Sequence, residues 1–193
     1  MASGSWHFPA PHYVLADISE KTLLATHVSV TYQFRALEPT DGMALHRLVR
    51  ACPPLDSNSS YCNLLQCSHF QATSIAAVSN EDLIGSVTAY RIPDRPDTLF
   101  IWQVAVHPNA RGHGLARTML RNLLARLTTQ GIRFVETSIT ADNEASWKLF
   151  TGFAAEQNTK IIRSAMFDKS MHFQDEHDTE YLVKIGPLDA KVC

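Results

Sequence analysis

A mixed α/β fold follows from three features of this 193-residue sequence. One is a near-continuous apolar run from Thr98 to Val106, which suits a central buried strand. Directly after it, Leu115, Met119, Leu123 and Leu127 recur at four-residue intervals with Leu120 and Leu124 on the adjoining stripe, the pattern of an amphipathic helix. The third is the order along the chain, where strand-like and helix-like segments interleave instead of falling into separate blocks.

Taken in order, residues 1–28 carry Gly4, Pro9 and Pro11 among scattered aromatics without sustained periodicity. They read as a flexible extension outside the core. The alternation of Val28, Val30, Tyr32 and Phe34 predicts a strand, and Thr40 is placed to cap a helix bearing Met43, Leu45, Leu48 and Val49 that Pro53 and Pro54 end. A second short helix is expected over 56–70. A hairpin follows, with strands at 73–78 and 83–90 about the turn Asn80-Glu81-Asp82, and then a charged, proline-bearing loop over 93–97. After the central strand and the leucine-striped helix, Gly131 marks a stop. A strand over 133–140, a helix over 143–155 and strands near Lys160 and over 181–185 complete the order. Residues 29–188 thus form one domain, and 189–193 a tail.

Composition bounds the function. Apolar residues make up 45% and charged residues 19%, as in a globular domain with an ample core. A net charge of −2 leaves no broad footprint for nucleic acid or an anionic membrane. Cys52, Cys62, Cys67 and Cys193 show neither metal-type spacing nor the density of a disulfide scaffold, so reduced thiols are expected. No apolar run approaches the roughly 18 residues that span a bilayer. The first 20 residues hold no Lys or Arg, which argues against a cleaved leader, and the expected place is the cytoplasm.

The segment Val104-Ala105-Val106-His107-Pro108-Asn109-Ala110-Arg111-Gly112-His113-Gly114-Leu115-Ala116 carries the clearest chemical signal. A buried strand here feeds a glycine-bearing turn that opens a helix. Backbone N–H groups at such a turn, with the positive helix end, can hold a phosphate, and Arg111 can add a charge-assisted contact. On spacing alone, a plain loop-to-helix junction fits equally well. The patterns of a P-loop or a dinucleotide-binding turn are missing.

With Val-Ala-Val before it, Arg111-x-x-Gly114-x-Ala116 resembles the pyrophosphate signature of the Gcn5-related N-acetyltransferases. That resemblance implies a central, mostly antiparallel sheet flanked by helices, over residues 30–186. It implies acetyl-CoA lying along Val104, Ala105 and Val106, with its pyrophosphate at Arg111, Gly112, His113, Gly114, Leu115 and Ala116. Asn143, at the start of the next helix, matches a position used near the cofactor. In that family the central strand splays from its neighbour, and a backbone N–H near Val104 would meet the oxyanion of acyl transfer.

Four further stretches narrow the resemblance: Cys52-Pro53-Pro54-Leu55-Asp56 with Asn58 and Tyr61; Pro96 to Val106 with Trp102; Asp142-Asn143-Glu144-Ala145-Ser146-Trp147; and Glu176-His177-Asp178 with a terminal Ile185-Gly186-Pro187. Together they are similar to the diaminobutyrate acetyltransferases, which make the acetylated precursor of the compatible solute ectoine. The resemblance implies a small diamino acid substrate and a homodimer. Two ammonium groups ask for carboxylates or aromatic faces. By resemblance Asp56, Tyr61, Trp102, His177 and Glu180 form the substrate pocket, with Asp56 and Val104 catalytic. Each also has a structural alternative, since Trp102 on a buried strand suits a core and Asp56 before a helix suits a cap.

Asp56 and Glu180 are both candidates for a base, and the sequence does not separate them. Many family members use a tyrosine after the Asn143 position as an acid, whereas Trp147, Leu149 and Phe150 stand there in this chain. His172, His177 and the acids between Asp168 and Glu180 read as a solvated loop without metal-ligand spacing, and no metal is expected. The same scaffold could acetylate another small amine or a protein N-terminus, or bind acyl-CoA as a non-catalytic sensor.

Overall fold

A computed structural model describes residues 31–189. The expected extension over 1–28 and most of the tail lie outside these residues, as do Val28 and Val30. Seven strands, β1 (Gln33–Arg35), β2 (Ile75–Ser79), β3 (Asp82–Ile92), β4 (Arg95–Val106), β5 (Phe134–Thr140), β6 (Ile161–Phe167) and β7 (Glu180–Ile185), form one sheet in the order β1-β2-β3-β4-β5-β7-β6. Every neighbouring pair is antiparallel except β4 and β5. Four helices flank it: α1 (Gly42–Arg50), α2 (Ser60–His69), α3 (Leu115–Thr128) and α4 (Glu144–Glu156).

Each face of the sheet has its own core. Leu115, Met119, Leu120, Leu123, Leu124 and Leu127 of α3 pack on Ile75, Ala77, Val87, Ala89, Leu99 and Ile101. On the opposite face, Leu45, Leu48 and Val49 of α1 meet Ala76 and Ala105. The alternation of Ile75, Ala76 and Ala77 between the two cores is the period-two signature of a strand covered on both sides. In β4 that alternation breaks. Thr88 faces Gln103 and Ala89 faces Ile101, so Trp102 is an extra residue, a β-bulge in the central strand.

Several local expectations are corrected. Thr40 is no cap: it sits in a single 3-10 turn, Pro39–Asp41, before α1. Asp41 orders this entry by accepting from the Glu38 N–H at 2.8 Å and from both Arg35 guanidinium nitrogens at 2.6 and 2.8 Å. The second helix starts at Ser60, not Asp56, because the Ser59 hydroxyl accepts from the Cys62 N–H at 3.1 Å. The loop over 93–97 shrinks to the pair Pro93-Asp94, since β4 already begins at Arg95. Pairing slips there, with Ile92 opposite Arg95 and Arg91 opposite Leu99, and Pro96, which has no N–H to donate, sits inside the slip.

Arg95 belongs to the strand because it has a partner on β5. Its guanidinium holds Glu136 through both carboxylate oxygens, one at 2.9 Å, and the Glu136 side chain is only 1% exposed. Lys184 Nζ stands 3.6 Å away on the other side. The free thiols Cys52 and Cys67 are buried, and burial pushes Cys67 up to about 12.

Arg95→Met leaves the Glu136 carboxylate buried with Lys184 alone. Half of Arg95 is in solvent, so the loss should fall at or below the low end for broken buried pairs, about 1–3 kcal/mol, lowering Tm by roughly 2–4 °C for each kcal/mol. Pairing it with Glu136→Gln should recover part of the loss in thermal denaturation.

Candidate active site

The central feature is where β4 leaves β5. Their parallel pairing runs from Thr98–Phe134 to Ile101–Thr137, and the Thr137 hydroxyl closes it by donating to the Ile101 carbonyl at 3.0 Å. β5 continues to Thr140, now paired with β7, while β4 continues to Val106 paired only with β3. A wedge opens between them, with the backbone of Trp102 to Val106 on one side.

Two cavities occupy this wedge. One, about 550 Å³, runs over the turn at the start of α3 and is lined by Val104, Val106, Arg111, Gly112, Gly114, Leu115 and Ala116. Gly112 and Gly114 adopt φ of +82° and +74°, and the second is the N-cap of α3 in a left-handed conformation. Only glycine takes that backbone freely, and it turns N–H groups outward at the positive end of a fourteen-residue helix. Arg111 Nε donates to the Val106 carbonyl at 3.0 Å, across the mouth of the wedge.

Anionic diphosphate and an extended apolar-polar arm both fit these surroundings. Arg117 and Lys148 add cations to the lining, and Cys52, Pro53, Leu55 and Leu149 add apolar walls. The sequence singled out none of these for the cofactor; only the fold brings the 52–55 segment and α4 to the turn. Two expected cofactor residues are not in the lining. The Ala105 side chain is fully buried in the second core, and His113 points into neither cavity.

The other cavity, about 720 Å³, is lined by Asp56, Trp102, Val104, Asn143, His177 and Glu180 among others. Val104 and Asn143 belong to both cavities, so the two meet there. Four of the five expected substrate residues therefore converge from three places in sequence. Tyr61 does not: it is 68% exposed on the first turn of α2 and lines neither cavity.

Both structural alternatives fail. Trp102 is 44% exposed, because the bulge turns its ring out of the core and onto Phe70 and Tyr90, each centred 6.2 Å away. Asp56 caps nothing, since Ser59 does so.

The carboxylates differ in their surroundings. Glu180 Oε2 is buried and has no hydrogen-bond partner among the described residues. An unsatisfied buried carboxylate oxygen costs free energy that a bound cation would recover. Asp142 is held below the ordinary carboxylate range by the Thr140 hydroxyl, which donates at 2.7 Å. His177 donates from Nδ1 to the Asp178 carbonyl at 2.7 Å, which leaves Nε2 as its acceptor when neutral. Asn143 is also the N-cap of α4, accepting from the Ser146 N–H at 3.1 Å.

A wedge between the fourth and fifth strands, with a glycine turn at its mouth, is the architecture implied by the sequence resemblance. The acetyltransferase (GNAT) family matches residues 43–155. The chain belongs to this family. It is 56% identical over 149 residues to the L-2,4-diaminobutyric acid acetyltransferase of Methylotuvimicrobium alcaliphilum, covering 77% of this chain and 87% of that protein. The corresponding protein of Vibrio cholerae is 50% identical over 162 residues, 84% of this chain and 93% of its own. Within the GNAT family the chain groups with the diaminobutyrate acetyltransferases, as its motifs imply.

Among solved structures, the diaminobutyrate acetyltransferase of Paenibacillus lautus, in complex with L-2,4-diaminobutyric acid and coenzyme A, superimposes with a TM-score of 0.79 at 35% identity. The match covers 86% of this chain and all of that one. The ribosomal-protein-S18-alanine N-acetyltransferase of Escherichia coli shares the GNAT fold at a TM-score of 0.67 and 15% identity, over 84% of this chain and 97% of its own.

In the stretch after Asn143, where many GNAT enzymes carry a tyrosine, this chain has Trp147, Leu149 and Phe150; Trp147 Nε1 donates to the Thr140 carbonyl at 2.9 Å, and Phe150 is buried.

Nothing lies within 4 Å of a Cβ added at Gly114 or at Gly131, which has φ of +88° and lines neither cavity. Alanine at either place should cost about 1–2 kcal/mol of backbone strain. Only Gly114→Ala should also weaken the stabilisation conferred by acetyl-CoA, read by titrating the ligand in thermal unfolding.

Proposed function

We propose that the protein transfers the acetyl group of acetyl-CoA to the 4-amino group of L-2,4-diaminobutyrate, giving N4-acetyl-L-2,4-diaminobutyrate and CoA, as a step of ectoine biosynthesis. The observation that carries this reading is the junction at Val104 and Asn143. There a cavity suited to CoA meets one that presents Asp56, Trp102, His177 and Glu180. The Paenibacillus lautus protein, which binds this diamino acid and coenzyme A, and the curated relatives of that name support the substrate.

Acetyl-CoA is the co-substrate and supplies the electrophilic thioester carbon. Gly112, Gly114 and the first turn of α3, with Arg111, Arg117 and Lys148, would hold its phosphates, and the backbone of Val104 to Val106 its extended arm. A backbone N–H at Val104 would stabilise the oxyanion that develops on the acyl group.

The amine must first lose a proton. For an alkylamine with a pKa of about 10.4, this costs about 4–5 kcal/mol at neutral pH. Glu180 is our choice for the base, because its Oε2 is a buried carboxylate oxygen without a partner among the described residues. Asp56 then holds the second ammonium, and Trp102 offers its face to the chain between them.

His177 lines the same cavity and can take part through Nε2. For Tyr61, exposed on α2 as are Leu64 and Leu65, we propose a place in a homodimer interface. Among the described residues no helix is long and apolar enough to cross a membrane. We place the enzyme in the cytoplasm, the compartment of both acetyl-CoA and free diamino acids.

The deciding experiment incubates the purified protein with acetyl-CoA and L-2,4-diaminobutyrate, with ornithine, lysine and a peptide amine in parallel. Thiol release and product structure by mass and NMR are recorded. Acetylation at the 4-amino group is expected; turnover of only the other amines rejects the substrate, and acetyl-CoA binding without any turnover rejects the enzyme. Glu180→Gln should lower kcat about 10²–10⁴-fold, with recovery towards high pH as the free amine accumulates. Asp56→Ala should abolish most turnover while acetyl-CoA still raises Tm. Normal turnover in that variant removes the role given to Asp56.

A further inference from the structure

The bulge at Trp102 does more than expose an indole. Because two residues of β4 oppose one of β3, Trp102 and Gln103 fall on the same side of the sheet, towards α2 and the segment before it. Leu99 and Ile101 before the bulge, and Val104 and Val106 after it, belong to the core under α3. Gln103 is 9% exposed, and its own backbone remains in the ladder opposite Thr88.

The segment between α1 and α2 carries Asp56 and has no regular structure of its own. Gln103 ties it down at two points. Its Nε2 donates to the Asp56 carbonyl at 3.0 Å, and its Oε1 accepts from Asn58 Nδ2 at 3.1 Å. One partner only accepts and the other donates, so the glutamine amide is fixed in one orientation. The rigidity of the central ladder thereby reaches a carboxylate that would otherwise sit on a free loop.

We propose that Gln103, with Asn58, is the positioning and specificity-determining pair that fixes Asp56 at a set distance from Val104, and so selects the diamino acid by its chain length. The proposal rests on the reading of Asp56 as the ammonium-binding carboxylate. The reacting amine must reach the acyl carbon near Val104 while the second ammonium sits at Asp56. A fixed separation favours one spacer between the two nitrogens, and a loose loop tolerates longer ones.

Gln103→Glu keeps the size of the side chain but sets a carboxylate oxygen against the Asp56 carbonyl. Asn58→Asp removes the donor at the other end from a more accessible position, which covers the case in which the first variant folds poorly. Each is assayed for kcat and KM with L-2,4-diaminobutyrate and with ornithine, for the rise in Tm with acetyl-CoA, and for hydrogen exchange over residues 54–58.

The expected result is a KM for diaminobutyrate raised at least tenfold and a diaminobutyrate-to-ornithine preference in kcat/KM reduced at least fivefold. Exchange should quicken over 54–58, with the acetyl-CoA effect unchanged. An unchanged preference in both variants, or an equal loss with both amines, overturns the proposal.

Asp56→Asn alone and combined with Gln103→Glu separates the two readings. If Asp56→Asn raises KM and Gln103→Glu does not, the clamp is wrong and the ammonium site stands. Should Asp56→Asn be silent, the ammonium site itself is wrong and the clamp falls with it. With both readings right, Gln103→Glu adds little in the Asp56→Asn background.

Discussion

Past the Ile101–Thr137 pair the two central strands part, and the rest of the site is arranged around that parting. A parallel pair buried on both faces would normally run on, each strand satisfying the other's backbone. Here β5 instead takes β7 as its neighbour on the far side, and β4 keeps only β3. The backbone of Trp102 to Val106 is left with one side open to a ligand inside an otherwise complete sheet. Its opening is stabilised from outside the ladder: the Cys52 thiol donates to the Val106 carbonyl at 3.2 Å, and Arg111 donates to the same oxygen.

The wedge also explains why the two cavities have different characters. At its mouth stands the first turn of α3, where left-handed glycines and arginines suit phosphates. Further in, Asp56, Glu180 and the Trp102 ring suit a small dication. An amine in one cavity and an acyl donor in the other would meet where Val104 is shared, which would convert an encounter between two solutes into a reaction between two held groups.

Much of this was legible in the sequence, for identifiable reasons. The leucine stripe and the apolar run are local signals, and they placed α3 to within a residue and the end of β4 at Val106, though not its start. Asn143 was readable as the start of a helix because capping is local chemistry. Misses came where a partner distant in sequence decides the outcome. Arg95 looked like loop until Glu136, on another strand, held it in β4. The second helix was expected from Asp56, and only the Ser59 hydrogen bond to Cys62 shows why it starts at Ser60. Nothing local marks the bulge at Trp102, because an extra residue in one strand exists only relative to the strand beside it. Arg117, Lys148 and the 52–55 wall were invisible as lining of the cavity at the glycine turn for the same reason. Conversely Tyr61 and His113, carried into the site by motif, line neither cavity of a single chain.

The absence of the usual tyrosine from the stretch that carries Trp147, Leu149 and Phe150 is consistent with where the chemistry needs help. A CoA thiol, with a pKa of about 8.5, is a weaker base than the attacking amine at about 10.4, so the thiolate can depart without a proton while the amine cannot attack with one. The demand falls on the nucleophile's side of the acyl carbon. Glu180, the proposed base, has a buried Oε2 without a partner among the described residues and stands at the start of a strand paired with Thr140 on one side and Phe167 on the other. Trp147 contributes to the same end: its indole N–H binds the Thr140 carbonyl, joining α4 to the tip of β5 next to Glu180. Arg163 lies over both the Trp147 ring and the Tyr181 ring, at 4.8 and 3.7 Å from their centres, which ties that tip to β6 and β7 as well. Without that tyrosine the chain gives up assistance to a good leaving group, and the Trp147 anchor makes a rigid seat for the carboxylate proposed as the base for the poor nucleophile.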